Sequence, residues 1–173
     1  DVDGTTAVVL MYAYIGEKYG HLHYYVPDRF KEGYGLSKEG IDYAIEKKCS
    51  LTITLDCGIR NVDLIQYGVE QKIDFIVCDH HEPGETIPNA IILNPKQKDC
   101  PYPYKELCGA GVAFKFLQAW TISHKWDLEN LYLNLDRVAV AIGADIVPVT
   151  GENRILAYHG LRLLNQEKRY CYK

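Results

Sequence analysis

Apolar positions crowd together directly after Asp1-Val2-Asp3-Gly4, where Val8, Val9, Leu10, Tyr12, Ala13 and Ile15 predict a mainly apolar, buried helix over residues 5–19, closed by Gly20. His23-Tyr24-Tyr25-Val26 predicts a short strand stopped by Pro27, and residues 30–36 a glycine-bearing loop. Ser37 fits the N-cap of a helix running to about Lys48. The β-branched run at 50–55 predicts a strand delivering Asp56 and Gly58 at its carboxyl end. After a helix over 61–71, Asp74-Phe75-Ile76-Val77-Cys78 predicts a buried-type strand ending on Asp79-His80-His81. A further strand is expected at 90–93, closed by Asn94-Pro95, and then a loop to Cys108. Three helical stretches follow, over 112–123, 128–143 and 152–164. Strands alternating with helices predict an α/β fold, a mostly parallel sheet flanked by helices, with a helix-rich second half. In such sheets ligands bind outside the carboxyl ends of the strands, where these acidic residues fall.

Composition fits that architecture: 173 residues with 47% hydrophobic content suit one packed domain. No stretch approaches the ~20 uninterrupted apolar residues of a membrane span, so the expectation is no membrane association and a cytoplasmic location. The six cysteines, Cys49, Cys57, Cys78, Cys100, Cys108 and Cys171, show no CxxC spacing and read as free thiols. Cys57 and Cys78 adjoin motif aspartates, and buried packing at strand ends is the preferred reading over a thiolate site. A formal net charge of −4 argues against a generic nucleic-acid binder, but two divalent cations on the acidic residues would bring it to formal neutrality.

Singly, the acidic clusters are weak signals. Asp1-Val2-Asp3-Gly4 reads by itself as helix capping, and Asp56-Cys57-Gly58 as a turn. Asp79-His80-His81-Glu82-Pro83 is stronger, because a carboxylate and two imidazoles at a strand's end offer ligands suited to Mn²⁺, Mg²⁺ or Zn²⁺. The fourteen tyrosines invite base stacking, but Tyr12, Tyr14, Tyr19, Tyr24, Tyr25 and Tyr34 are expected in or beside packed elements.

Taken together, DVDG, LDCG, DHHEP and GADIVP resemble, in order and spacing, the four acidic motifs of the DHH phosphoesterase superfamily. VPDRFKEGYGLS, ILNPK, CGAGVAFK and ENRILAYHGL look like its single-strand DNA exonuclease branch. The resemblance implies that Asp1, Asp3, Asp56, His80 and Asp145 hold two Mn²⁺ or Mg²⁺ ions, with Asp56 as the bridge. It implies that Asp79 supports these ligands, that His81 touches the scissile phosphate, and that Arg29 and Arg154 contact the nucleic-acid backbone. Asp136 competes with Asp145 for the fourth motif; GAD before IVP favours Asp145, leaving Asp136 as a solvated helix-surface residue.

The implied reaction is metal-dependent hydrolysis of single-stranded DNA from its 5′ end, in repair and recombination, with single-strand-binding protein and helicase partners also following from the resemblance. The alternatives are a nano-RNA or cyclic-dinucleotide phosphodiesterase, a pyrophosphatase, or a catalytically inactive scaffold. Two departures stand out: the superfamily places a further His and Asp just upstream of Asp1, and usually shows Asn where Cys57 stands. Residues 1–173 are therefore expected to be a DHH domain fragment, without an upstream strand and without the DHH-associated and OB-fold domains, folded yet weak or inactive as an exonuclease.

Overall fold

The computed structural model describes residues 1–166, so Cys171 and the tail around it lie outside the described residues. The elements run α1 (Val2–Gly16), α2 (Lys38–Glu46), β1 (Leu51–Leu55), α3 (Val62–Glu70), β2 (Asp74–Cys78), β3 (Ile91–Leu93), α4 (Gly109–Ser123), α5 (Leu128–Tyr132), α6 (Leu135–Asp145) and α7 (Gly151–Gln166). The three strands form one parallel sheet in the order β1-β2-β3, with Ile53 opposite Ile76 and Val77 opposite Ile92.

Side-chain alternation along β2 splits the core in two. Phe75 and Val77 point to a smaller cluster with Ile41, Ala44 and Ile65 from α2 and α3. Ile76 and Cys78 face the larger one, where Leu10 and Tyr14 of α1 pack with Phe114 and Leu117 of α4, Val138 and Ile142 of α6 and Leu156 of α7. Helices thus cover both sheet faces, the larger side carrying the helix-rich second half. No helix among the described residues is long and apolar enough to cross a membrane.

The structure corrects the expected elements in three places. Helix α1 begins at Val2, not Thr5, and ends at Gly16, so Asp1 is its N-cap, as the capping reading has it, and Asp3 lies in its first turn. Residues 23–26 form no strand: His23, Tyr24 and Tyr25 line an open cavity of about 640 Å³ together with the edge strand β1 and with Val8, Met11 and Ile15 of α1. Aromatic and β-branched content alone does not make a strand without a hydrogen-bonding neighbour. The stretch expected as one helix over 128–143 is two, α5 and α6, broken at Leu133-Asn134.

Of the six tyrosines expected in or beside packed elements, Tyr14 is buried, its hydroxyl 2.8 Å from that of Thr121. Tyr12, Tyr19, Tyr24 and Tyr34 are exposed.

Candidate metal centre

Helix α1, the ends of β1 and β2, and the end of α6 converge on one point. His80 Nε2 lies 3.1 Å from Asp56 Oδ1, 3.7 Å from Asp3 Oδ2 and 3.6 Å from Asp145 Oδ2. Two overlapping triads have the reach to hold a cation, Asp56–His80–His81 and Asp3–His80–Asp145. Asp1 belongs to neither: its Oδ1 accepts from the Gly4 amide at 3.0 Å and caps α1, though it lines the same cleft as Asp56.

The chain is bent to build this site. Asp56 adopts a left-handed backbone, φ +60°, a conformation that aspartate tolerates better than most residues. Gly109, the first residue of α4, allows close approach: a Cβ there would sit 2.5 Å from Asp56 Cβ and 2.7 Å from its Oδ1. Asp145 ends α6 just before Ile146, which is also left-handed at φ +57°. That conformation strains a β-branched side chain, and strain of this kind concentrates at functional sites.

Supporting bonds fix the ligands. Asp3 is buried, and its carboxylate accepts from the amides of Gly109 at 2.6 Å and Ala110 at 2.7 Å, the free N–H groups at the start of α4. Asp79, also buried, accepts from the amides of Ile59, His80 and His81 and from His81 Nδ1 at 2.7 Å. With Nδ1–H committed to Asp79, the free atom of the His81 ring is Nε2.

Burial opposes ionisation of Asp79, yet the bonds from His81 and Ile59 outweigh it and hold its carboxyl below the usual range. The thiols at the rim go the other way, since burial, then Asp79, pushes Cys57 and Cys78 up to about 12. Neither group of side chains with the reach to hold a cation includes a cysteine, so each presents carboxylate oxygen and imidazole.

Burial, and then the charge of Asp56, raises the Asp3 carboxyl from 3.8 to about 6 against the pull of the Ala110 and Gly109 amides. For His80 burial acts downward, but the carboxylates of Asp56, Asp3 and Asp145 outweigh it and raise the imidazole. Between pH 3.8 and about 6 the folded chain therefore binds more protons at Asp3 than the unfolded chain, and stability without metal falls as pH rises. His80 has the same sign: its contribution is complete below its ordinary pKa and is lost as pH climbs through the higher folded value. Thermal melts in EDTA should show that the melting temperature of the wild type falls relative to that of Asp3→Asn as pH rises through this window. A difference between the two proteins that does not change with pH would contradict the assignment.

Asp136 is a correction. It is buried in the first turn of α6, not solvated on its surface. It stands nine residues before Asp145, about 13 Å along the helix axis, so it belongs to the far end of α6 while Asp145 joins the cluster.

Arg29 and Asp56 line one cleft of about 110 Å³. Arg154 is exposed in the first turn of α7 and does not line it. The sequence reading gave no role to the Gly109 and Ala110 amides. The available signal was CGAG, glycines at a helix start that invite close backbone approach.

Fold and site are those of a DHH domain, and the profile of the DHH family, N-terminal domain, matches residues 1–142: the chain belongs to that family. The chain is 39% identical over its whole length to the single-stranded-DNA-specific exonuclease RecJ of Bacillus subtilis, and 37% identical over 97% of its length to that of Escherichia coli. It spans 21% and 31% of those proteins. Among solved structures, exonuclease RecJ bound to manganese superposes with a TM-score of 0.85 at 32% identity, covering 94% of this chain and 41% of that one.

Proposed function

We propose that this chain supplies the metal-binding site of a single-strand-specific DNA exonuclease that hydrolyses phosphodiester bonds from the 5′ end. The observation that carries the reading is that Asp56 Oδ1 and His80 Nε2 are buried, adjacent and without an aligned hydrogen-bond partner. Buried polar atoms are ordinarily satisfied, and these two lie 3.1 Å apart, unsatisfied, among the carboxylates of Asp3, Asp56 and Asp145, an arrangement that a cation completes. The donor set is one imidazole and several carboxylate oxygens, which suits Mn²⁺ or Mg²⁺. Similarity to RecJ proteins, one of them solved with manganese, favours manganese and a single-stranded substrate.

Asp3, Asp56, His80 and Asp145 would hold two ions, with Asp56 between them and Asp1 contributing through the cleft that it shares with Asp56. Bound there, such ions supply Lewis acidity and a water of lowered pKa. Asp79 fixes the His80 backbone and turns His81 so that Nε2 faces outward; that ring, raised chiefly by its bond to Asp79, can hold a proton for a phosphate oxygen. Arg29 at the cleft wall is placed to meet the phosphate backbone, and Arg154 would have to reach it from outside. The five free thiols among the described residues fit a reducing cytoplasmic compartment.

The test is manganese-dependent nucleotide release from 5′-labelled single-stranded DNA by the complete protein that carries this chain, beside duplex DNA and pyrophosphate. Release from the single strand at least about 10-fold faster than from duplex is expected. Preferential hydrolysis of pyrophosphate, or none of any substrate, would overturn the reading.

A further inference from the structure

Asp145 meets His80 from the very end of a helix. It is the last residue of α6, and the next residue, Ile146, is left-handed at φ +57° with its side chain 87% exposed, so no packing of that side chain offsets the backbone strain. Such a conformation persists only where the surroundings impose it. Of residues 146–150, which lead from α6 to α7, Val147 alone packs against the core and the others are exposed. The path of this segment is therefore set by polar ties.

Those ties come from two side chains. The Tyr104 hydroxyl is shared between the carbonyls of Pro148 at 3.1 Å and Thr150 at 2.9 Å, and the Tyr104 ring rests against Gly151, where a Cβ would sit 2.7 Å from it. Asn153, wholly buried in the first turn of α7, donates through Nδ2 to the carbonyls of Glu106 at 2.5 Å and Pro148 at 3.1 Å. Glu152 beside it receives the Tyr102 hydroxyl at 2.6 Å and lies 3.0 Å from Lys115 of α4, which fixes the start of α7 to the same stretch. Residues 102–106 thus grip the chain that follows Asp145, and they lead directly to Gly109 and Ala110, whose amides hold Asp3. One short stretch supports both carboxylates of the Asp3–His80–Asp145 triad. His81 of the other triad is held instead by Asp79.

We propose that Tyr104, assisted by Asn153 at the Pro148 carbonyl, is a positioning residue for the cation held by Asp3, His80 and Asp145. It keeps the left-handed turn after Asp145, and weakening it lowers affinity at that one site and not at Asp56–His80–His81. The inference rests on the two-ion reading above.

Calorimetric titration of the complete protein with Mn²⁺ tests it. The wild type should bind two ions. Tyr104→Phe keeps the ring against Gly151 and loses only the hydroxyl; it should bind one ion with wild-type affinity and the other about 10-fold more weakly or worse, as groups that orient metal ligands do when lost. Ile146→Gly is the second variant, because glycine takes a left-handed backbone without steric cost and removes the strain that the ties hold. Added to Tyr104→Phe, it should restore most of the lost affinity, which a hydroxyl with a merely structural role would not allow. Tyr67→Phe, which loses a bond to Asp42 on α2, is the control and should keep both sites. Two wild-type sites in Tyr104→Phe, equal weakening of both, or weakening that Ile146→Gly leaves in place would overturn the proposal with the two-ion reading intact. A wild type that binds fewer than two ions would remove that reading and this inference together.

Discussion

Asp56→Asn is expected to leave the chain folded and to remove tight binding of two divalent cations. Asparagine shares the tolerance of aspartate for a left-handed backbone, so φ +60° is kept, whereas Asp56→Ala adds a backbone penalty of roughly 1 kcal/mol. What asparagine cannot keep is the negative charge 3.1 Å from His80 Nε2, the ring that the two triads share. Loss of a merely supporting partner already costs about 10–100-fold in metal affinity, so loss of a carboxylate that would hold the ions directly should exceed that range. Calorimetric titration with Mn²⁺ measures both quantities at issue, stoichiometry and affinity. Two sites with wild-type affinity in Asp56→Asn would end the two-ion assignment.

Gly109→Ala is expected to be nearly as severe, although the residue carries no functional group. The added methyl would sit 2.5 Å from Asp56 Cβ and 2.7 Å from Oδ1, closer than real contacts allow, so either Asp56 or the start of α4 must move. Either shift damages the site, because the Gly109 amide also donates to Asp3 at 2.6 Å. Overpacking of this kind costs about 1–3 kcal/mol, and a displacement of ~1 Å can cost on the order of 100-fold in activity. Thermal melts should show the lost stability and Mn²⁺ titration the lost affinity. Gly143→Ala is the control, since a Cβ there meets nothing within 4 Å. Equal behaviour of the two variants would show that the close approach at Gly109 is unimportant.

The sheet was legible in the sequence because its strands carry local signals. The strand expected at 74–78 matches β2 residue for residue, and the run expected at 50–55 contains β1. The motifs at the strand ends were legible for the same reason. Residues 23–26 misled because their composition suits a strand, while strand formation depends on a neighbour that composition does not report. The break between α5 and α6 has no glycine or proline to mark it, and Leu133-Asn134 fits a helical period well enough to pass through.

The internal support of the site was not legible at all. Asp3 is held by amides more than one hundred residues away, at the start of α4, and no local pattern connects them. The left-handed turn at Asp56 likewise follows from tertiary packing and not from a glycine. Asp136 shows the limit from the other side. Its charge suggested a solvated surface, but the first turn of α6 is buried, and only the three-dimensional path places Asp145 beside His80.

The raised thiols of Cys57 and Cys78 have a meaning beyond ligand choice. Oxidants and alkylating agents attack sulfur as the thiolate, and a group pushed up to about 12 is almost wholly protonated at neutral pH. Cys108, at the start of α4, is raised in the same direction by burial and then by Asp3. Three sulfur atoms near motif aspartates therefore stand, without bound cations, in the protonated form that oxidants attack slowly.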